Sequence, residues 1–516
     1  MTAKGIIAAG SQATAEAGAE MFRRGGNAVD AAVAGCFATS AGEPSLTSLA
    51  GAGLMLYRNG KTGEMTICDF FADAPGLGGR IPPAELDFSG VELDFGPTTQ
   101  TFYIGAGSSA VPGVLPGICQ ALERWGSKPL AEIVEPAIHS LTEGAVMGPH
   151  QARAAKLLEP ILSREEPSRK QYCPHGHILA EGERFISSDL ADTLKTMASM
   201  GWREFYEGRM WPMMLNQFGL AAKGTITEED LKAYSVRFYS PLEGQYRGSA
   251  VYSPGAPATG GQMIELMMAM LNEVDLSTLV MGSAEHTRTL ALIMQVADEA
   301  RAKKALGETK RWVERFGVIR HEKLSSVRAE GGGNNSTTHI STMDSEGNAA
   351  SVTFSYGEGN AHLIGNTGIM MNNLMGEEDL HPQGFHLSEP GKRLSTMMSP
   401  TMVVDPGGKT IVIGTGGANR IRTVIVQMVS KLMDYGMAPK EAVAAARIHY
   451  EEGVLNAEVY DMPCGGEDLM GLGANELICF SEPSLFFGGV HMVQMDADGE
   501  LSGAADGRRG GVCIVS

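Results

Sequence analysis

The sequence is short of several features that would narrow its class. Its seven cysteines, Cys36, Cys68, Cys119, Cys173, Cys464, Cys479 and Cys513, are an odd set without a C-x-x-C spacing. That argues against a disulfide framework or a thiolate zinc site and leaves free thiols in a reducing compartment. His286, His321, His449 and His491 form no ligand-spaced cluster, so no metal and no other cofactor is expected. Positive charge is scarce: 41 Lys and Arg against 60 Asp and Glu give a net charge of −19. Nucleic acid and anionic membranes both need a basic face, so neither is an expected partner. Apolar runs are short, and "AVDAAVAGCFATSAG" is interrupted by Asp30, so no membrane span is expected. "MTAKGIIAAGSQATAEAG" has neither the basic start nor the apolar core of a signal peptide. The expected location is cytoplasmic. Internal repeats and low-complexity linkers are missing too.

What is present reads as an ordinary globular chain of 516 residues, 43% apolar and 20% charged. Residues 13–41 read as two Ala-rich helices broken at Gly25-Gly26, with Asn27 capping the second. Residues 48–70 read as two strands turning at Asn59-Gly60. Ser and Gly bound a helix over 187–208, Thr227 and Asp230 make a capping-box signature, and Met-rich 256–275 and amphipathic 283–306 are further helices. Strands are expected over 337–343, 349–355, about 368–373, 401–404 and 410–414, with a helix over 420–435. Helices first and strands second imply an α+β fold of packed layers whose halves form one unit.

Residues 331–355, "GGGNNSTTHISTMDSEGNAASVTFS", hold the main chemical signal. A polar, Gly-rich lead-in stops abruptly at Thr337. "DSEGN" is a turn cluster between two alternating segments. A symmetric hairpin pairs Met343 with Ala349 and sets Thr337 against Ser355; a slip of two residues substitutes Thr353. A hydroxyl therefore faces Thr337 in either register. Thr337 is either a turn residue favoured for its β-propensity or a masked nucleophile. Cleavage in front of it would free an α-amine with a pKa of about 8, basic enough to accept the hydroxyl proton. His339, on the same face, suits packing or hydrogen bonding better than proton transfer. In "IGTGGANRIRTVIVQM" a glycine pair joins a strand to a helix, where backbone N–H groups can hold an oxyanion. No G-x-G-x-x-G motif or βαβ unit accompanies it, which argues against a dinucleotide site.

With these residues goes a wider pattern: "RRGGNAVDAAVA" (23–34), "EPSLTSLAGAGLMLY" (43–57), "AVPGVLPG" (110–117), "FYEG" (205–208), "TITEEDLKAY" (225–234), "GIMMNNLMGEEDL" (368–380), "LSTMMSPTMV" (394–403), "GTGGANRIRT" (414–423) and "GAADGRRGG" (503–511). In this order they resemble the gamma-glutamyltransferase (glutathione hydrolase) family of N-terminal-nucleophile hydrolases. The resemblance implies a four-layer αββα sandwich made as a precursor that cuts itself between Ser336 and Thr337. Residues 1–336 would form the large subunit region and 337–516 the small one, intertwined in one domain, with a dimer of such pairs also compatible. It implies that Thr337 is the nucleophile and, once freed, its own α-amine base, and that Ser355 supports it. The oxyanion hole falls on Gly416, Gly417 and Ala418: counting from Arg420 selects Gly417 and Ala418, and matching the glycine pair selects Gly416 and Gly417.

The resemblance departs from its pattern at the substrate. Phe71 stands where gamma-glutamyl enzymes carry an Arg for the donor carboxylate, and Gly357 stands where Asn is usual. Glu377 matches the acid that binds the donor ammonium, with Glu378 and Asp379 following. Ser395 and Thr396 match the serine pair at the donor carboxylate. The expected activity is amide hydrolysis or acyl transfer to water or an amine, on a γ-glutamyl or another acyl group. Arg393 is one candidate to replace the missing Arg. Met370, Met371, Met375, Met397 and Met398 are assigned to core packing ahead of a pliable pocket wall.

Overall fold

The computed structural model describes residues 4–94, 99–325, 337–381 and 383–516. Two sheets stack at its centre, with all neighbouring strands antiparallel. The first runs in spatial order β13 (Val512–Val515), β1 (Gly5–Ala9), β7 (Thr338–Asp344), β8 (Ala349–Ser355), β2 (Ala52–Arg58), β3 (Met65–Phe70) and β4 (Arg237–Tyr239). The second runs β12 (Leu501–Ala505), β11 (Gly489–Met495), β10 (Thr410–Gly416), β9 (Thr401–Val404), β6 (Ser249–Ser253) and β5 (Leu242–Tyr246).

Strand alternation builds the layers. In β1, Ile6 and Ala8 join Met343, Val412 and Val493 in the core between the sheets. Ile7 and Ala9 point the other way, into a core shared with α1 (Gln12–Arg23) and α2 (Ala28–Gly42). On the far side, Val403 and Ile413 meet α3 (Thr259–Leu271), α4 (Ala284–Ala302) and α5 (Arg420–Met433) through Met267, Leu292 and Val424. The result is the αββα sandwich. α2 is buried along its whole length, as its small and apolar residues allow. Its Asn27 cap accepts from the Val29 and Asp30 N–H groups, and Asp30 returns the bond to the Asn27 N–H.

Two expectations fail locally. The segment at 368–373 is not a strand; it makes only single bridges, Leu363 to Met370 and Ala50 to Met371. The Asn372 side chain takes the place of a ladder there, accepting from the Ala110 and Leu374 N–H groups and donating to the Ala50 and Ala110 carbonyls. The helix expected over 187–208 is broken, since Ser188–Met200 ends at Gly201 before a second start at Trp202. Among the described residues no helix is long and apolar enough to cross a membrane.

Candidate active site

The hairpin at Thr337 has the symmetric register, from Met343 opposite Ala349 to Thr338 opposite Phe354. One step further sets Thr337, just before β7, against Ser355 at the end of β8. Both are buried, and both line a cavity of about 450 Å³. Alternation fixes what lies along each face. On Thr337's face, His339 is fully buried, with Nδ1 2.8 Å from Thr353 Oγ1 and Nε2 2.9 Å from Ser341 Oγ, which itself donates to the His491 carbonyl. Burial holds the His339 pKa well below that of a free imidazole. It is a neutral packing residue between the sheets. On the opposite face, the Thr338 hydroxyl and the Thr14 hydroxyl both donate to Glu43. The chain that follows Thr337 is thus tied to both neighbouring layers.

Three further contacts bear on the threonine itself. Arg509 Nη1 donates to the Thr337 carbonyl at 3.1 Å. The Gly357 N–H donates to Ser355 Oγ at 2.9 Å. Gly416 packs so closely that a Cβ there would lie 2.1 Å from the Thr337 carbonyl oxygen. After Gly416 the chain turns through Gly417 at φ +123° and Ala418 at φ +49° into α5. A non-glycine residue in the left-handed region is strained and is typical of functional turns. Ala418 and Asn419 line the cavity; Gly416 and Gly417 do not appear in its described lining. Beneath the turn, fully buried Arg422 donates to the Asn419 carbonyl, to Asp298 Oδ1 at 2.6 Å and to Glu451 Oε1 at 3.1 Å.

The expected binding residues converge on the same cavity. Phe71, Glu377, Ser395 and Thr396 all line it. Phe71 is buried, and its carbonyl accepts from the Tyr234 hydroxyl at 2.9 Å and from Arg393. Arg393 does not replace the missing Arg. It lies behind Phe71, paired with Asp73 at 3.1 Å and Asp69 at 3.6 Å, and is absent from the described lining. Ser395 Oγ donates to the Pro257 carbonyl and lies 2.6 Å from Thr259 Oγ1. The Thr396 carbonyl accepts the first N–H of α3. Met397 and Met398 line the cavity, whereas Met370, Met371 and Met375 are core residues. Ser336 lies outside the described residues.

Sequence reasoning missed several wall residues. Arg301 and Lys304, at the C-terminal end of α4, reach the cavity, as do Thr259 and Asn419. Nothing local marks them, because α4 reads only as an amphipathic helix. Arg509, from the C-terminal turn, holds the Thr337 carbonyl, a contact that nothing in the local sequence marks. The two acids differ from ordinary surface carboxyls. Burial, then Glu358 and Asp379, pushes Glu377 well up; burial pushes Asp379 up to about 7.

Residues 14–516 match the family model described as Gamma-glutamyltranspeptidase. The chain is 31% identical to the Acylase ACY 1 proenzyme of Pseudomonas sp. (strain SE83), over 99% of this chain and 93% of that one. It is 29% identical to the Glutathione hydrolase proenzyme of Escherichia coli (strain K12), over 98% and 90%. Among solved structures, cephalosporin acylase from Bacillus halodurans superposes with a TM-score of 0.82 at 21% identity, covering 99% of this chain and 96% of that one. Gamma-glutamyltranspeptidase from Helicobacter pylori superposes with a TM-score of 0.52 at 26% identity, over 61% and 91%.

Proposed function

The chain belongs to the gamma-glutamyltranspeptidase family, and on that premise we propose that it is a self-processing amidohydrolase or acyltransferase whose nucleophile is Thr337. Hydrolysis of the Ser336–Thr337 peptide bond yields residues 1–336 and the 180 residues from Thr337 to Ser516, and frees the Thr337 α-amine. With a pKa of about 8, that amine accepts the hydroxyl proton as Thr337 Oγ attacks the substrate amide carbonyl. The proton passes to the leaving amine, and the acyl group remains as an ester on Thr337. Water or an acceptor amine then attacks the ester, and its proton returns to Oγ.

The supporting observation is the convergence on one cavity of Thr337, Ser355 and the strained Ala418 turn. Ser355 Oγ, held by the Gly357 N–H, orients the nucleophile. The oxyanion forms against N–H groups of the Gly416–Ala418 turn, and the cavity position of Ala418 favours the pair Gly417 and Ala418. Mass spectrometry of the purified protein tests the proposal: a species beginning at Thr337 is expected, and an intact chain after prolonged incubation rules self-processing out. Thr337→Ala should remain one chain and turn over no amide.

The acyl group is a separate matter. Glutathione hydrolysis requires a place for a glutamyl α-carboxylate, and Phe71 with Arg393 sequestered behind it gives none on that wall. An uncompensated buried carboxylate costs several kcal/mol. This favours a non-glutamyl acyl group, in keeping with the acylase named among the relatives. A cytoplasmic setting is part of the same reading, since Cys36, Cys68 and Cys119 are buried free thiols suited to a reducing compartment. Recovery of the native protein outside the cytoplasmic fraction would refute it.

A further inference from the structure

Arg509 follows β12, far along the chain from Thr337, and reaches it where the second sheet leaves a gap. Gly416 in β10 and Gly489 in β11 face each other in the ladder. A Cβ on Gly489 would lie 2.7 Å from the Arg509 Cβ, and one on Gly416 would lie 3.0 Å from Arg509 Nη1. Two facing strands thus lack side chains where the arginine passes. Nη1 donates to the Thr337 carbonyl at 3.1 Å, and Nη2 lies 3.5 Å from the Leu485 carbonyl, at the limit of a hydrogen bond. Nε is closed off from solvent and has no hydrogen-bond partner among the described residues. The residue is 8% exposed. A neutral donor would hold a carbonyl, so a buried guanidinium with a donor left over calls for a second reason.

That reason lies in the charge. Nitrogen and carbonyl oxygen of one residue are roughly 3 Å apart, which places the guanidinium within about 6–7 Å of the Thr337 nitrogen. A cut before Thr337 makes that nitrogen an amine, while β7 keeps the carbonyl in place. Burial pulls the Arg509 pKa down to about 10, which leaves it charged at neutral pH. The charged groups around it are Asp506, Glu358, Glu43 and Arg447. Asp506 is engaged by Arg447 at 2.6 Å and by Arg508 at 3.3 Å. Burial favours the neutral form of Glu43, which accepts from the Thr14 and Thr338 hydroxyls. Glu358, just past β8, opposes Arg509. Arg420, whose Nε donates to the Phe486 carbonyl, adds positive charge on the α5 side. Burial holds His150, His339 and His491 neutral. Across the cavity stand Glu377, Asp379, Arg301 and Lys304.

We propose that Arg509 is a positioning residue with an electrostatic role: it fixes Thr337 by its carbonyl and keeps the freed α-amine unprotonated near neutral pH, the form that accepts the hydroxyl proton. The proposal rests on the Thr337 chemistry above and adds the group that prepares its base. A like charge at this separation in a partly buried site lowers an amine's pKa by about one to two units, from about 8 for a free chain end.

Periodate tests this without a substrate. It cleaves an N-terminal threonine between the carbons that carry the amine and the hydroxyl, and it acts on the unprotonated amine. The rate at which the processed protein loses the Thr337 side chain, followed by mass spectrometry from about pH 5 to 9, therefore reports the amine's pKa. A midpoint no higher than about 7.5 is expected in the parent protein. Arg509→Gln keeps a donor and loses the charge, and should raise the midpoint by about one unit; Arg509→Lys keeps the charge and should leave it within about 0.3 units. Formation of the Thr337 terminus in each variant serves as the folding control, and the parent and Arg509→Lys midpoints decide if Arg509→Gln is not processed. A parent midpoint above about 7.5, an unmoved midpoint in Arg509→Gln, or an equal rise in both variants would overturn the proposal. Absence of the Thr337 terminus in the parent protein would instead count against the nucleophile assignment.

Discussion

At the scale of single residues, the site is defined as much by what is small as by what reacts. Gly416 sits at the end of β10 with no room for a side chain, because a Cβ would come within 2.1 Å of the Thr337 carbonyl oxygen. Gly416 ends the buried strand β10 and the Thr337 carbonyl leads directly into the buried strand β7, so neither side can yield cheaply. Gly416→Ala is therefore expected to displace Thr337 and slow the appearance of its new N-terminus by at least about ten-fold, roughly 1.4 kcal/mol at the transition state. A time course of the intact chain by mass spectrometry measures this, and an unchanged rate would mean that the carbonyl position does not limit cleavage. The sequence narrows the residue facing Thr337 to Ser355 or Thr353, because a turn cluster between two alternating segments imposes a period of two, and the register of the hairpin selects Ser355. Arg509 was not readable as a contact of Thr337. It lies far along the chain, and only the closing of β13 onto β1 brings the C-terminal turn to the start of β7.

At the scale of elements, turns and strands were legible where their signals are local. The Asn27 cap and the Thr227–Asp230 capping box both form. The 368–373 segment misled because its apolar residues read as a strand, while the Asn372 side chain supplies the hydrogen bonds a neighbouring strand would have given. The approach to α5 shows a different dependence. Arg422 bridges the Asn419 carbonyl to Asp298 and Glu451 with no exposure to solvent. Arg422→Leu would leave buried carboxyls without that cation, and such losses typically cost about 3–5 kcal/mol. A large fall in Tm is expected, with partial recovery when Asp298→Asn is added; a fall equal in the single and double variants would show that the pair is not the cause. Strand β11 supplies a pH test. Burial pushes His491 down to about 4, from about 6.5 in an unfolded chain. The unfolded state therefore binds the proton first. Stability from this residue is complete above pH 6.5 and is lost as pH falls toward 4, by about 3 kcal/mol at pH 4. His491→Leu should flatten the Tm profile between pH 6.5 and 4, and an unchanged slope would place the acid sensitivity elsewhere.

At the scale of the whole molecule, the order of strands matters more than the order of the sequence. The chain reads as helices first and strands second, yet the first sheet draws β1, β2, β3 and β4 from before residue 337 and β7, β8 and β13 from after it. β1 lies between β13 and β7, so one N-terminal strand is hydrogen-bonded on both sides to the C-terminal part. β8 pairs with β2 over seven residues, and in the second sheet β6 pairs with β9. Sequence pattern assigns the hairpin neighbours but not these pairs, whose strands lie far apart in the chain and share no turn. The physical consequence concerns the proposed cleavage. A cut before Thr337 opens the chain at the edge of β7 without breaking any of these ladders, and the apolar core between the sheets contains residues from both pieces, including Ile6, Leu54, Met343 and Val412. Separation would expose that core and strip strand edges on both pieces. The two pieces should therefore run as one particle in native size-exclusion chromatography after complete processing, and should part only in denaturant. Expressed separately, 1–336 and 337–516 should each be insoluble or unfolded by circular dichroism, whereas co-expression should restore a folded complex. A soluble, folded 337–516 fragment on its own would show that the second sheet and its helices form an independent unit, and that the ladders on either side of β1 are not what holds the molecule together.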